Sequence, residues 1–249
     1  MRKFGVFLLV LAFLFTACSP VETDGEEQST SADTTIAAEP IHITEIIIEE
    51  SSASLGGDSE KILRYPVVVG EGTDALNENL KRHAEQMYTI HATSVHTLLA
   101  EGETFVYAVT SVETKRFDDT LLSFLCRAEY TSPTDGMPKQ FVYTCNINPT
   151  TAEIYSSDVL ITDWTALAQL LRAGKGEMVW GSEELLTQIT WDELLMQIKP
   201  EYGIYPAVCF NDGGVVIGFD VLTLLGGTAG FCISYADAAD CLAVSAPQN

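Results

Sequence analysis

The chain has 249 residues, 47% of them apolar, and sets 13 Lys and Arg against 35 Asp and Glu for a net charge of −22. That length and apolar fraction support one large core or two small ones. The charge excludes a general nucleic-acid binder, which needs clustered cations to neutralise phosphates, and argues against adhesion to anionic lipid.

Arg2 and Lys3 form a basic start, followed by an unbroken apolar run from Phe4 to Phe15. Twelve helical residues span about 18 Å, short of a hydrocarbon core of about 30 Å. Residues 1–17 therefore read as an export signal, with a buried N-terminal helix as the alternative. Phe15-Thr16-Ala17-Cys18-Ser19 resembles the signal of bacterial lipoproteins, in which a small residue precedes the lipidated cysteine. Phe15 departs from that pattern, which prefers an aliphatic residue there. The resemblance implies cleavage before Cys18, a diacylglyceryl thioether on its sulfur and an anchor of acyl chains such as palmitate. Two such chains hold a protein stably where one does not.

Residues 18–40 are rich in Ser, Thr, Glu, Asp and Ala, with Val21 and Ile36 the only large apolar side chains. Such a segment buries too little apolar surface to offset its ordering entropy and reads as a flexible acidic tether. A single folded domain is expected over 41–249. Ile41 to Ile48 reads as a strand, 51–58 as a loop, and Leu63 to Val69 as a second strand whose Pro66 suggests an edge or irregular position. Thr73 or Asp74 caps a helix running to about Ala100. Leu76, Leu80, Ala84, Met87, His91, Val95 and Leu98 form an apolar stripe at helical spacing.

Three antiparallel strands follow over 104–115, 120–130 and 139–147, with turns at Phe117-Asp118-Asp119 and over 131–138. Residues 164–171, 183–189 and 191–198 read as short helices. Residues 204–210 and 215–219 pair through Asn211-Asp212-Gly213-Gly214, a strong hairpin signal. A last strand over 231–235 and a short helix over 236–242 close the chain. The class is α+β: an antiparallel sheet of about five to seven strands, with one long helix and several short helices packed against it.

Beyond Cys18 there are five cysteines, Cys126, Cys145, Cys209, Cys232 and Cys241, an odd number that leaves at least one without a partner inside the chain. If Tyr130 faces Phe141, Cys126 stands directly opposite Cys145. That pair is either a candidate disulfide or two thiols facing each other in the core. Cys209 and Cys232 could lie on neighbouring strands, without a register to fix them.

No metal site is expected. His83 and His91 stand about 12 Å apart along one helix, His91 and His96 point to different faces, and no HExxH or CxxC spacing occurs. No GxSxG, SxxK, P-loop or GxGxxG motif points to catalysis or to a cofactor. Asp118-Asp119 reads as turn chemistry, Glu183-Glu184 as charges at a helix start, and Gly174-Lys175-Gly176 as a surface turn. Trp164, Trp180 and Trp191 read as core anchors, and an exposed one would mark an interface.

Tyr65-Pro66, the helix beginning near Leu76-Asn77, the run from Phe210 to Phe219, Gly230 and Ile233-Ser234-Tyr235 together resemble the RsiV-like extracellular domain family. That domain is shared by a lysozyme-sensing anti-sigma factor and many lipoproteins. The resemblance spans about 41–242 and implies an α+β binding domain without enzyme activity. Only Met1 to Lys3 precede the apolar run, so no sigma-factor-binding segment and no sigma partner are expected. Ser132 to Pro138 replaces a Gly-Gly-Ala-His-like turn of many relatives, which puts ligand use of that turn in doubt. The expected function is a surface-anchored lipoprotein on the extracytoplasmic face of the membrane, with a domain for a cationic protein such as lysozyme or an envelope component. Three alternatives stand beside it: acidity that only keeps the domain soluble, an envelope hydrolase using a carboxylate pair, and a structural subunit of a surface assembly.

Overall fold

A computed structural model describes residues 42–51, 59–96, 104–132, 138–182 and 184–247. The expected signal at 1–17, Cys18 and the tether at 18–40 lie outside the described residues, as do most of the loop at 51–58 and the tip of the turn at 131–138.

β1 (His42–Ser51) and β2 (Glu60–Val69) pair antiparallel along their full lengths. β2 then runs parallel to β3 (Val106–Phe117) through Glu60, Lys61 and Ile62 only. Pro66 thus falls where β2 has a strand on one side alone, which tolerates its missing N–H. On the open side, Asn77 substitutes for a strand. Its Oδ1 accepts from Val68 N at 2.8 Å and its Nδ2 donates to Val68 O at 2.8 Å.

Asn77 belongs to α1 (Asp74–His96), which packs on β2 and β5 with Leu76, Leu80, Ala84, His91 and Ala92 buried. β3, β4 (Leu122–Thr131), β5 (Lys139–Ile147) and β6 (Ile154–Tyr155) complete a curled six-stranded sheet. Two register shifts between β3 and β4 add local twist. Alternation along β4 sends Leu122, Phe124, Cys126, Ala128 and Tyr130 toward α1, and Ser123 and Leu125 toward a second sheet.

After α2 (Ser157–Leu160) and α3 (Trp164–Arg172) comes β7 (Glu177–Trp180), then α4 (Leu185–Gln188) and α5 (Trp191–Leu195). β8 (Ala207–Phe210), β9 (Gly214–Asp220) and β10 (Thr228–Ser234) follow, then α6 (Tyr235–Ala238) and a 3-10 turn at Ala239–Cys241. The second sheet is antiparallel in the order β7-β10-β9-β8. One face packs Cys209, Val216 and Trp180 against Leu125 and Val142 of the first sheet. The other packs Val215, Ile217, Phe219, Phe231 and Ile233 under Trp164, Leu167, Leu171 and Leu194 of the helices. The layers run α1, first sheet, second sheet, helices.

The sheets are joined by hydrogen bonds as well as apolar contact. β8 is an edge strand, and its outer backbone meets side chains of β4 and β5. Asn146 Nδ2 donates to Val208 O at 2.7 Å, Val208 N donates to Thr144 Oγ1 at 3.3 Å, and Phe210 N donates to Ser123 Oγ at 2.9 Å. Ser123 Oγ donates to Asn146 Oδ1 at 2.6 Å, so the buried polar groups satisfy one another. At the β8–β9 turn Asn211 Oδ1 accepts from the N–H groups of Gly213 and Gly214. A Cβ on Gly214 would stand 1.9 Å from Ile233 O, so only glycine fits there.

The α+β class holds, with three corrections of detail. The expected single antiparallel sheet is two sheets, one of them containing the parallel β2–β3 pair. Short β6 and β7, and α2, carry too few residues for a periodic signal, and pairing with β5 and β10 makes β6 and β7 strands. The register of β4 and β5 also differs: Tyr130 faces Lys139, Cys126 faces Tyr143 and Cys145 faces Phe124. A two-residue slip keeps every side chain on its expected face, so hydrophobic patterning does not discriminate against it. Cys126 and Cys145 become diagonal neighbours, about 7–8 Å apart and wider than a disulfide spans. Both are free thiols.

Candidate functional site

Three turns meet at one end of the first sheet: β2–α1, β3–β4 and β5–β6. Between them lies a groove of about 410 Å³. Its floor is the buried trio Val68, Leu76 and Leu122, and Phe117 stands at its wall with 46% of its surface exposed. Glu71, Asp118 and Asp119 supply its charge, and among the described residues no Lys, Arg or His lines it.

Each turn is built by its own residues. Gly72 takes a φ of +76°, open to glycine and strained for other residues. Asp118 closes the β3–β4 turn by accepting from Thr120 N and Leu121 N, both at 2.9 Å, through Oδ1. Asn148 closes the β5–β6 turn by accepting from the N–H groups of Thr150 and Thr151. The positive end of the α1 dipole also points to this region, and Asp74 in the first turn offsets it.

The three carboxylates differ in availability. Burial alone would raise the Asp118 carboxyl, but the Arg116 guanidinium and the Thr120 and Leu121 donors hold it down at about 2. Arg116 itself is buried and fully engaged. Its Nε donates to Asp118 at 2.6 Å, its Nη1 to Tyr235 OH and Ser245 O, and its Nη2 to Thr120 Oγ1. Asp118 is thus spent on a structural pair. Glu71 and Asp119 are exposed and make no ion pair among the described residues, so their charge faces solvent. An apolar floor beneath unpaired carboxylates suits the aliphatic stem and cationic head of Lys or Arg.

The other titratable cluster is sealed under α1. His91 stacks on Phe141 with ring centroids 4.3 Å apart, and its Nδ1 is 2.9 Å from Tyr107 OH. Burial pushes His91 down to about 4 and pushes the Tyr107 and Tyr143 hydroxyls up. His83 is also lowered by burial, partly offset by its bond to Thr144 O. Neutral, buried and stacked, these groups serve packing. Among the described residues no group of three or more His, Cys, Asp or Glu is arranged to hold a metal ion. Asp220 is raised by burial, while Glu113, Glu193 and Asp237 are lowered by the cations or donors around them.

The tryptophans are anchors. Trp164 stacks on Tyr205, Trp191 packs at a tilt against Phe231, and Trp180 lies under the Arg127 guanidinium at 4.9 Å. None of the three is exposed, and among the described residues the open aromatic side chains are Phe117 and Tyr202. Asp118 sits in the turn that its sequence signals, but the groove was not legible there, because Glu71 comes from the β2–α1 turn and Phe117 and Asp119 from the β3–β4 turn. A large aromatic beside two carboxylates, Phe117-Asp118-Asp119, was the available signal.

No family model matches the chain, and no curated protein matches it. Solved structures do. A DUF3298 family member from Bacteroides fragilis superposes with a TM-score of 0.51 at 11% identity, covering 82% of this chain and 94% of that one. A DUF3298 family protein from Pseudomonas aeruginosa PAO1 gives 0.51 at 9% identity, covering 85% and 99%. DUF3298 is the family of the RsiV-like extracellular domain. At such identities the likeness is one of fold.

Proposed function

We propose that the protein is a lipoprotein of the cell envelope, anchored through Cys18 on the extracytoplasmic face, whose folded domain binds a cationic protein without transforming it. Lysozyme, which is strongly basic, is the candidate partner. The observation that carries this reading is the acid-rimmed groove: buried Val68, Leu76 and Leu122 below, Phe117 beside them, and unpaired Glu71 and Asp119 above. The likeness to DUF3298 domains supports it at the level of fold. The net charge of −22 adds long-range attraction, which raises encounter rates with basic partners most at low salt.

The test is titration of the full-length protein with lysozyme by calorimetry at low and moderate salt. A complex that weakens with salt is expected. The triple variant Glu71→Gln/Phe117→Ala/Asp119→Asn should weaken it about tenfold or more, from two charge pairs and one aromatic contact. No complex at either salt removes lysozyme, and a complex indifferent to the triple variant removes the groove. Cys18→Ser should release the protein to the medium, and continued membrane retention contradicts the anchor.

A further inference from the structure

The two sheets have four edge strands, β1 and β6 in the first and β7 and β8 in the second. β6 has two residues and β7 four. The outer backbone of β8 is taken up by Ser123, Thr144 and Asn146. β1 differs from all three. It runs for ten residues with no register shift against β2, contains no proline, and no strand pairs with its outer side among the described residues. A long regular edge presents a row of backbone donors and acceptors, the template for strand addition.

The side chains select what can be added. Ile46 and Ile47 are 41% and 48% exposed and, being successive, lie on opposite faces, so an added strand would gain aliphatic contact on both. The sequence of β1 carries Glu45, Glu49 and Glu50, and β2 adds Glu60. Against these four stand Lys61 and Arg64 on β2. Arg64 lies 4.0 Å from Glu45, and Lys61 Nζ lies over the Tyr88 ring. The hairpin is therefore net negative, on a chain of charge −22. A second copy meets like charge along this edge, whereas a basic segment meets opposite charge.

We infer that the outer edge of β1 accepts an extended cationic segment of a partner protein as a seventh strand, with basic side chains beside Glu45 and aliphatic ones beside Ile46 and Ile47. This site goes beyond the groove, and its readout is separate from loss of lysozyme binding in groove variants.

The probe is a synthetic peptide, Lys-Lys-Val-Ile-Val-Lys-Thr-Lys, added to the full-length protein and followed by fluorescence anisotropy and amide hydrogen exchange. Binding with added protection of amides in residues 42–51 is expected. A peptide N-methylated at alternate residues keeps its charge but loses its ladder donors, and should bind about tenfold or more weaker. The same peptide with Glu in place of Lys should lose at least as much. Equal binding of the N-methylated peptide, protection confined to other segments, or no binding at low salt overturns the inference. So does a dimer of the protein that protects residues 42–51 by itself.

Discussion

Replacing Asn146 by Ala strands two buried polar atoms at the junction of the sheets. The Ser123 hydroxyl loses its acceptor and the Val208 carbonyl its donor, while Thr144 still accepts from Val208 N. Each buried orphan costs about 1–3 kcal/mol, and relaxation around the small void trims the sum, so a loss of roughly 2–4 kcal/mol is expected. In a domain of this size that lowers Tm by about 5–15 °C. Urea unfolding followed by tryptophan fluorescence measures the loss directly. Ser123→Ala also costs stability, because Phe210 N–H loses its acceptor. The double variant should cost about 1 kcal/mol less than the two singles together, since their shared bond is removed only once. A loss below about 1 kcal/mol for Asn146→Ala, or strict additivity of the pair, refutes the idea that side chains close the β8 edge.

The buried histidine gives a pH prediction. The unfolded chain protonates His91 near 6.5 and the folded protein only near 4, so stability is complete above pH 6.5 and falls as pH drops through that window, by roughly 3 kcal/mol. His91→Phe should flatten that part of a plot of urea midpoint against pH, and an unchanged slope assigns the effect elsewhere. Gly230→Ala would set a Cβ 2.3 Å from the Trp180 ring and should destabilise strongly, with Trp180→Ala partly rescuing it in a double variant. Thiol titration offers a fourth check. Burial pushes Cys126 and Cys209 up to about 12 and raises Cys145 as well, so these three should stay unmodified in the native protein while half-exposed Cys232 reacts first. Reaction of Cys126 or Cys145 without unfolding contradicts their place under α1.

Much of the architecture was legible because period and punctuation are local properties. The α1 stripe, the strands β3 to β5 and the Asn211 to Gly214 turn announce themselves through spacing or turn chemistry. Strands β6 and β7 did not, because two and four residues carry no period and owe their state to a neighbour. Exposure was equally hidden: Phe117 and the three tryptophans are all large aromatics in the sequence, yet only Phe117 is open.

Sequence by itself determined the α+β class, the faces of the strands and a strongly acidic chain, since all three follow from residue identity and nearest-neighbour spacing. Tertiary structure decided the split into two sheets, the Cys126–Tyr143 register and the groove beneath Glu71 and Asp119. Those depend on which distant segments share an edge or an end of the sheet. A slip of two residues, or a different meeting of turns, leaves the hydrophobic pattern unchanged, so packing and backbone hydrogen bonding between remote strands make that choice.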